Sequence, residues 1–145
     1  HDAISAAIAA GLDDPYEIRR IAEAFTEQIG TDAWLDVLHA HSRCKRIVRN
    51  LDEEYELNSS VDPEPSSKVL FDATEAAWQK MDTAKDKLTT LLEVMADLQE
   101  PINVFFEAVL VMAKEPELKA SRLALVQRIA ALPDDIVDLS QFEGF

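Results

Sequence analysis

Glycine stands at only three of 145 positions, Gly11, Gly30 and Gly144, in a chain rich in alanine, leucine and glutamate. That combination favours long helices, because the residues that lose least on entering a helix dominate and the residue that most weakens one is scarce. Strands would need period-two runs of β-branched and aromatic residues between turn clusters, and none longer than a few residues occurs. The sequence therefore predicts an all-α fold, a bundle of about six to seven helices. Residues 1–145 are read as a single domain, long enough to bury one core.

The apolar spacing divides the chain. "HDAISAAIAAGLDDP" reads as a short helix stopped at Gly11, then an acidic cap and Pro15 at the first position of the next helix. That opening on His1, inside an apparent helix, suggests a piece of a longer protein. In "YEIRRIAEAFTEQIG", residues Ile18, Ile21, Ala22, Phe25 and Ile29 share one face. A third helix, capped by Thr31 or Asp32, is expected to run to about Leu51 with Val37, Ala40, Cys44, Ile47 and Leu51 as its apolar stripe. Residues 52–67 hold six acids, two prolines and four serines, and they read as an acidic loop or flexible connector. From Lys68 the helical pattern returns through Trp78, Met81, Leu91, Met95 and Leu98, as one long helix or two joined near Asp82, with Glu100-Pro101 expected to end it. "PINVFFEAVLVMAKE" then reads as a separate helix at the centre of the bundle, with Phe105 and Phe106 in the core. Pro116 starts the last long helix, which turns Leu118, Leu125, Ile129 and Leu132 inward and stops at Pro133.

Charge narrows the function. With 28 acids against 14 cations, a net charge of -14, adhesion to nucleic acid or membrane over the whole surface is excluded. Yet "HSRCKRIVRN", residues 41–50, gathers Arg43, Lys45, Arg46 and Arg49. At about 100° per residue these four and Asn50 fall opposite the apolar stripe, so the reading displays them outward. Lys119 and Arg122, side by side on the last helix, make a second candidate patch. The plain alternative is a solvated helix face paired with the acids of residues 52–56.

Catalytic signatures are missing. No Gly-rich loop is present to cradle a phosphate, and the carboxylates form no pair set in an apolar pocket. His39 and His41 are two apart on a helix and diverge, so no metal is expected there, and both read as surface or boundary residues. Cys44 lies on the apolar stripe, as a buried inert thiol would. One cysteine cannot form an internal disulfide, which fits a reducing cytoplasm. No secretory leader and no apolar run of roughly 20 residues occurs, so no membrane partner is expected.

"PINVFFEAVLVMAKEPELKASRLALVQRIAAL" closely resembles the end of the β subunit of the bacterial-type tetrameric glycyl-tRNA synthetase, where a proline, a double phenylalanine, a "VMVMA"-like run and an "RLALL" helix recur in that order. "HDAISAAIAAGLDDP" and "CKRIVRNL" are similar to earlier segments of the same family, so the resemblance covers nearly the whole chain. Ser121 replaces the family's common asparagine before "RLAL", and Pro133 interrupts a helix that usually continues. The resemblance implies an all-helical, DALR-type anticodon-binding domain at the C-terminal end of a longer subunit. Its partners would be the anticodon stem-loop of tRNA(Gly), the rest of the β subunit and the α subunit of a heterotetramer. It implies that this piece holds no cofactor and no catalytic residue, since ATP-dependent glycine activation takes place elsewhere. In that picture Arg43, Lys45, Arg46 and Arg49 hold phosphates and stack on bases, Asn50 reads a base edge, and Lys119 and Arg122 assist. The competing class is an acidic protein-interaction module without RNA contact, with Trp34, Tyr55 and Phe145 as its exposed apolar candidates.

Overall fold

The computed structural model describes residues 2–28, 31–109, 111–134, 136–142 and 145. Among them are six α-helices and no strand: α1 (Asp2–Ala9), α2 (Pro15–Thr26), α3 (Asp32–Val48), α4 (Pro65–Thr83), α5 (Lys87–Ala108) and α6 (Pro116–Ala130). Short 3-10 turns lie at Ser59–Val61 and Leu139–Gln141.

Local chemistry sets the boundaries. Gly11 turns the chain after α1 with φ of 93°, a conformation that side chains with a Cβ rarely adopt. Asp14 then accepts from the Tyr16 amide at 2.9 Å, and Pro15 begins α2 where its missing N–H costs nothing. Thr31, not Asp32, caps α3, its hydroxyl oxygen accepting from the Trp34 amide at 3.1 Å. Pro65 and Pro116 open α4 and α6 in the same way as Pro15. The break between α4 and α5 falls at residues 84–86, close to the expected joint, and Asp86 caps α5.

One expectation is corrected. Glu100-Pro101 does not end a helix: α5 runs through Pro101 to Ala108, so "PINVFFEA" forms its last turns and is not a separate central helix. Proline at 101 removes the bond to the Asp97 carbonyl, four residues back. Asp97 is on the exposed flank of α5, where water can satisfy that oxygen. Val104 is 45% exposed and Met112, beyond the helix end, 61%, so this stretch is not apolar on every side.

Helices α3 to α6 close a four-membered bundle: α4 packs on α5 and α6, and α3 packs on the same two. Leu38 and Cys44 of α3, Leu70 of α4, Leu91, Met95, Leu98, Ile102 and Phe105 of α5, and Leu123, Val126 and Ile129 of α6 fill its centre, each fully buried. Helix α1 lies on α2 and on the second 3-10 turn, and α2 reaches α5. Phe25, Trp34 and Phe142 form an aromatic triangle with centroids 4.9 to 5.4 Å apart, and the Asp138 amide donates to the Ala6 carbonyl at 2.9 Å. The last described segment thus seals the first two helices. Ile29, expected on the α2 stripe, lies outside the described residues.

Residues 52–64 are docked on α6. Gln127 accepts from the Tyr55 amide at 2.9 Å and donates to the Glu53 carbonyl at 2.8 Å. Ser121 donates to the Asn58 carbonyl at 2.7 Å. The loop expected at 52–67 is therefore a bound strap, and its last three residues already belong to α4.

Candidate nucleic-acid interface

The seven sequence-predicted contact residues do not share one surface. Helix α3 presents Arg43 and Arg46 to solvent, with Arg49 at its C-cap and Asn50 in the following turn also exposed. The spacing of Arg43, Arg46 and Asn50, three then four, places them on one side, and exposed His39 lies one turn ahead of Arg43. Lys45 sits about 200° around the helix from Arg43. It is half-buried against α6, where its Nζ donates to the Ala130 carbonyl at 3.3 Å and to Asp134 Oδ1 at 3.2 Å. The expectation that all four cations face outward fails for Lys45, because a two-residue step crosses the helix.

The second patch is divided too. Arg122 is 9% exposed and grips Asp62 with two bonds, Nε to Oδ2 at 2.8 Å and Nη2 to Oδ1 at 3.2 Å. Burial opposes ionisation of Asp62, but the Arg122 guanidinium and the Glu64 amide outweigh it and hold the carboxyl below its usual range. Arg122 thus clamps the 52–64 strap and does not face solvent. Lys119 remains half-buried on α6, eleven residues before Ala130, which is about 16 Å along the axis at about 1.5 Å per residue.

Arg46 is held in place by a bond from its Nη2 to Ser42 Oγ at 2.8 Å. Arg43 lies over the Phe106 ring, its Cζ 4.3 Å from the centroid. Phe106 was expected in the core with Phe105, yet only Phe105 is fully buried. Helical spacing carried the signal: Phe105 continues the line of Leu98 and Ile102, and Phe106 stands about 100° off it. Among the described residues neither the Arg43 nor the Arg49 side chain makes a hydrogen bond or an ion pair.

His39 and His41 separate as their spacing requires, but of the two only His39 is a surface residue. His41 is 2% exposed, with Nε2 at 3.0 Å from the Met95 carbonyl, and burial lowers its pKa to about 4. Cys44 is fully buried, and desolvation pushes its thiol up to about 12. Among the described residues no group of three or more His, Cys, Asp or Glu is placed to hold a metal ion. No helix among them is long and apolar enough to cross a membrane. Trp34, named above as an exposed apolar candidate, is buried at 4%, and Tyr55 and Phe145 are half-buried. Among the described residues the large apolar side chains that do face solvent are Ile4, Ile8, Tyr16, Val69, Val104 and Met112.

The DALR anticodon binding domain family matches residues 37–139, from the middle of α3 to the second 3-10 turn. The chain is 35% identical to a glycine–tRNA ligase β subunit of Moorella thermoacetica, over 97% of this chain and 21% of that protein. It is 30% identical to the β subunit of Acidobacterium capsulatum, over 97% and 22%. A chloroplastic/mitochondrial glycine–tRNA ligase of Arabidopsis thaliana is 32% identical over 75% of this chain and 10% of its own length. The chain spans about a fifth of the length of the bacterial relatives it matches.

Proposed function

Because the chain belongs to the DALR anticodon-binding domain family, we propose that it recognises the anticodon stem-loop of a glycine tRNA as one domain of a glycine–tRNA ligase β subunit. The observation that carries this reading is the outward pair Arg43 and Arg46 on α3 with exposed Asn50 in the turn after it, inside the matched residues 37–139 and joined by Arg49. Specific recognition of single-stranded RNA works on unstacked loop bases, through charge on the phosphates and hydrogen bonds on base edges. Arg46 and Arg49 offer the first and Asn50 the second. Lys45, Lys119 and Arg122 are left out of the interface on the grounds of their partners or position.

ATP-dependent attachment of glycine then proceeds on other parts of a heterotetramer, with this domain positioning the tRNA and holding no cofactor itself. The assembly works in the cytoplasm, or in an organelle where a plant-type relative serves. A second reading has one observation in its favour: Ile4 and Ile8, four apart on α1, are 42% and 57% exposed, as an acidic protein-interaction module would require. The two readings are compatible in a multi-subunit enzyme.

The test is glycylation by the assembled enzyme carrying Arg46→Glu and Arg49→Glu. KM for tRNA is expected to rise at least about tenfold, as two charge reversals opposite phosphates require, while ATP-dependent glycine activation stays unchanged. An unchanged KM would remove α3 from the interface and leave the interaction module as the better reading.

A further inference from the structure

Among the described residues two arginines lie over aromatic rings, and they differ in a way that points to a ligand. Arg128 stands 5.0 Å from the Trp78 centroid and is tied into the fold: Glu75 accepts from Nη2 at 3.0 Å, and Trp78 Nε1 donates to the Arg128 carbonyl at 3.1 Å, while its buried Nε meets no partner among the described residues. Its charge is thus paired within the fold. Arg43 is closer to its ring, 4.3 Å from the Phe106 centroid, yet among the described residues no acid or carbonyl takes any of its five N–H groups. In a chain with 28 acids, an exposed guanidinium placed over a ring and left without an acid is open to a ligand.

The neighbours narrow what that is. Asn103 lies one turn before Phe106 on α5, half-buried, and its side-chain amide has no hydrogen-bond partner among the described residues. It offers one donor group and one acceptor. Exposed Glu107 follows Phe106 and disfavours a phosphate on the α5 side of the pair, whereas Arg46 welcomes one on the α3 side. A flat, uncharged group with polar edges, attached to a phosphate chain, satisfies all of these at once.

We propose that Arg43, Phe106 and Asn103 form a site for one unpaired nucleobase of an RNA loop. The base stacks on the outer face of the Arg43 guanidinium, Phe106 supports the inner face, and the Asn103 amide meets the base edge. Guanidinium planes and aromatic rings both serve as stacking surfaces for unstacked bases. The site deepens the anticodon-loop reading and rests on it. Phe106 acts as a positioning residue, since it touches Arg43 and not the base.

The experiment places 2-aminopurine at each successive position of a glycine anticodon stem-loop and titrates it with the assembled enzyme. At one position the fluorescence should be quenched on binding. Arg43→Lys keeps the charge on an exposed side chain but loses the plane; it should abolish that quench and weaken binding by about five- to a hundredfold, the range of one base stack. Phe106→Leu should do the same when assayed well below its own melting temperature, and Asn103→Ala should relax the choice of base at that position alone. Binding of the loop without quenching at any position, or full affinity and quenching in Arg43→Lys, would overturn the site and leave the anticodon reading standing. No binding of the loop by the wild-type enzyme would overturn both.

Discussion

His41 is buried as a neutral ring, with Nε2 against the Met95 carbonyl and Nδ1 without a partner among the described residues. Its pKa of about 4 lies below the usual 6.5, so protons prefer the unfolded chain between those values. The stability it contributes is complete above pH 6.5 and drains away as pH falls towards 4. Chemical denaturation at pH 7 and pH 5 should therefore show about 2 kcal/mol of loss assignable to His41, and His41→Gln should cancel most of that difference. Cys44, with its thiol near 12, should resist a disulfide reagent at pH 8 until the bundle opens, so its labelling rate should follow denaturant-induced unfolding. The burial of Cys44 was legible, because it continues the stripe from Val37 and Ala40. That of His41 was not, although the signal existed: it stands four residues after Val37 and three before Cys44, on the apolar side, and a polar side chain drew the reading outward.

The boundaries that were legible are those with local chemistry: Pro15, Thr31 and Pro116 start helices by satisfying or omitting the first amides, and Gly11 ends one through its φ. Those that were not depend on distant partners. Pro101 sits within α5 because the rest of that helix is fixed by its packing on α3 and α4, which offsets one lost bond. The 52–64 strap is held by Ser121, Arg122 and Gln127, sixty or more residues away, and composition alone showed only its acidity. Arg122 is the centre of that attachment. Replacing it by leucine would leave Asp62, whose side chain is 5% exposed, as a buried unpaired charge. Arg122→Leu should cost about 3 to 5 kcal/mol in urea unfolding, while Lys119→Leu should cost under about 1 kcal/mol. A loss of RNA affinity in Arg122→Leu that persists well below its melting temperature would contradict the clamp assignment.

Across the whole molecule, a net charge of -14 confines RNA to the small area where cations are uncovered. With Arg46 and Arg49 on phosphates and Arg43 on a base, the log-log salt dependence of stem-loop binding should have a slope of about -1.5, at about 0.7 to 0.9 per phosphate. A slope near zero, with affinity kept in high salt, would instead favour docking through apolar residues such as Ile4 and Ile8. The helical class was legible from glycine scarcity and periodicity, but the function was legible only from the family resemblance, since helical bundles serve many ends. The aromatic triangle of Phe25, Trp34 and Phe142, with the Asp138 to Ala6 bond, adds a kinetic consequence. The tail covers α1 through the Asp138 bond and holds α2 and α3 through Phe142, so severing the chain after Pro133 should speed deuterium entry into the α1 amides.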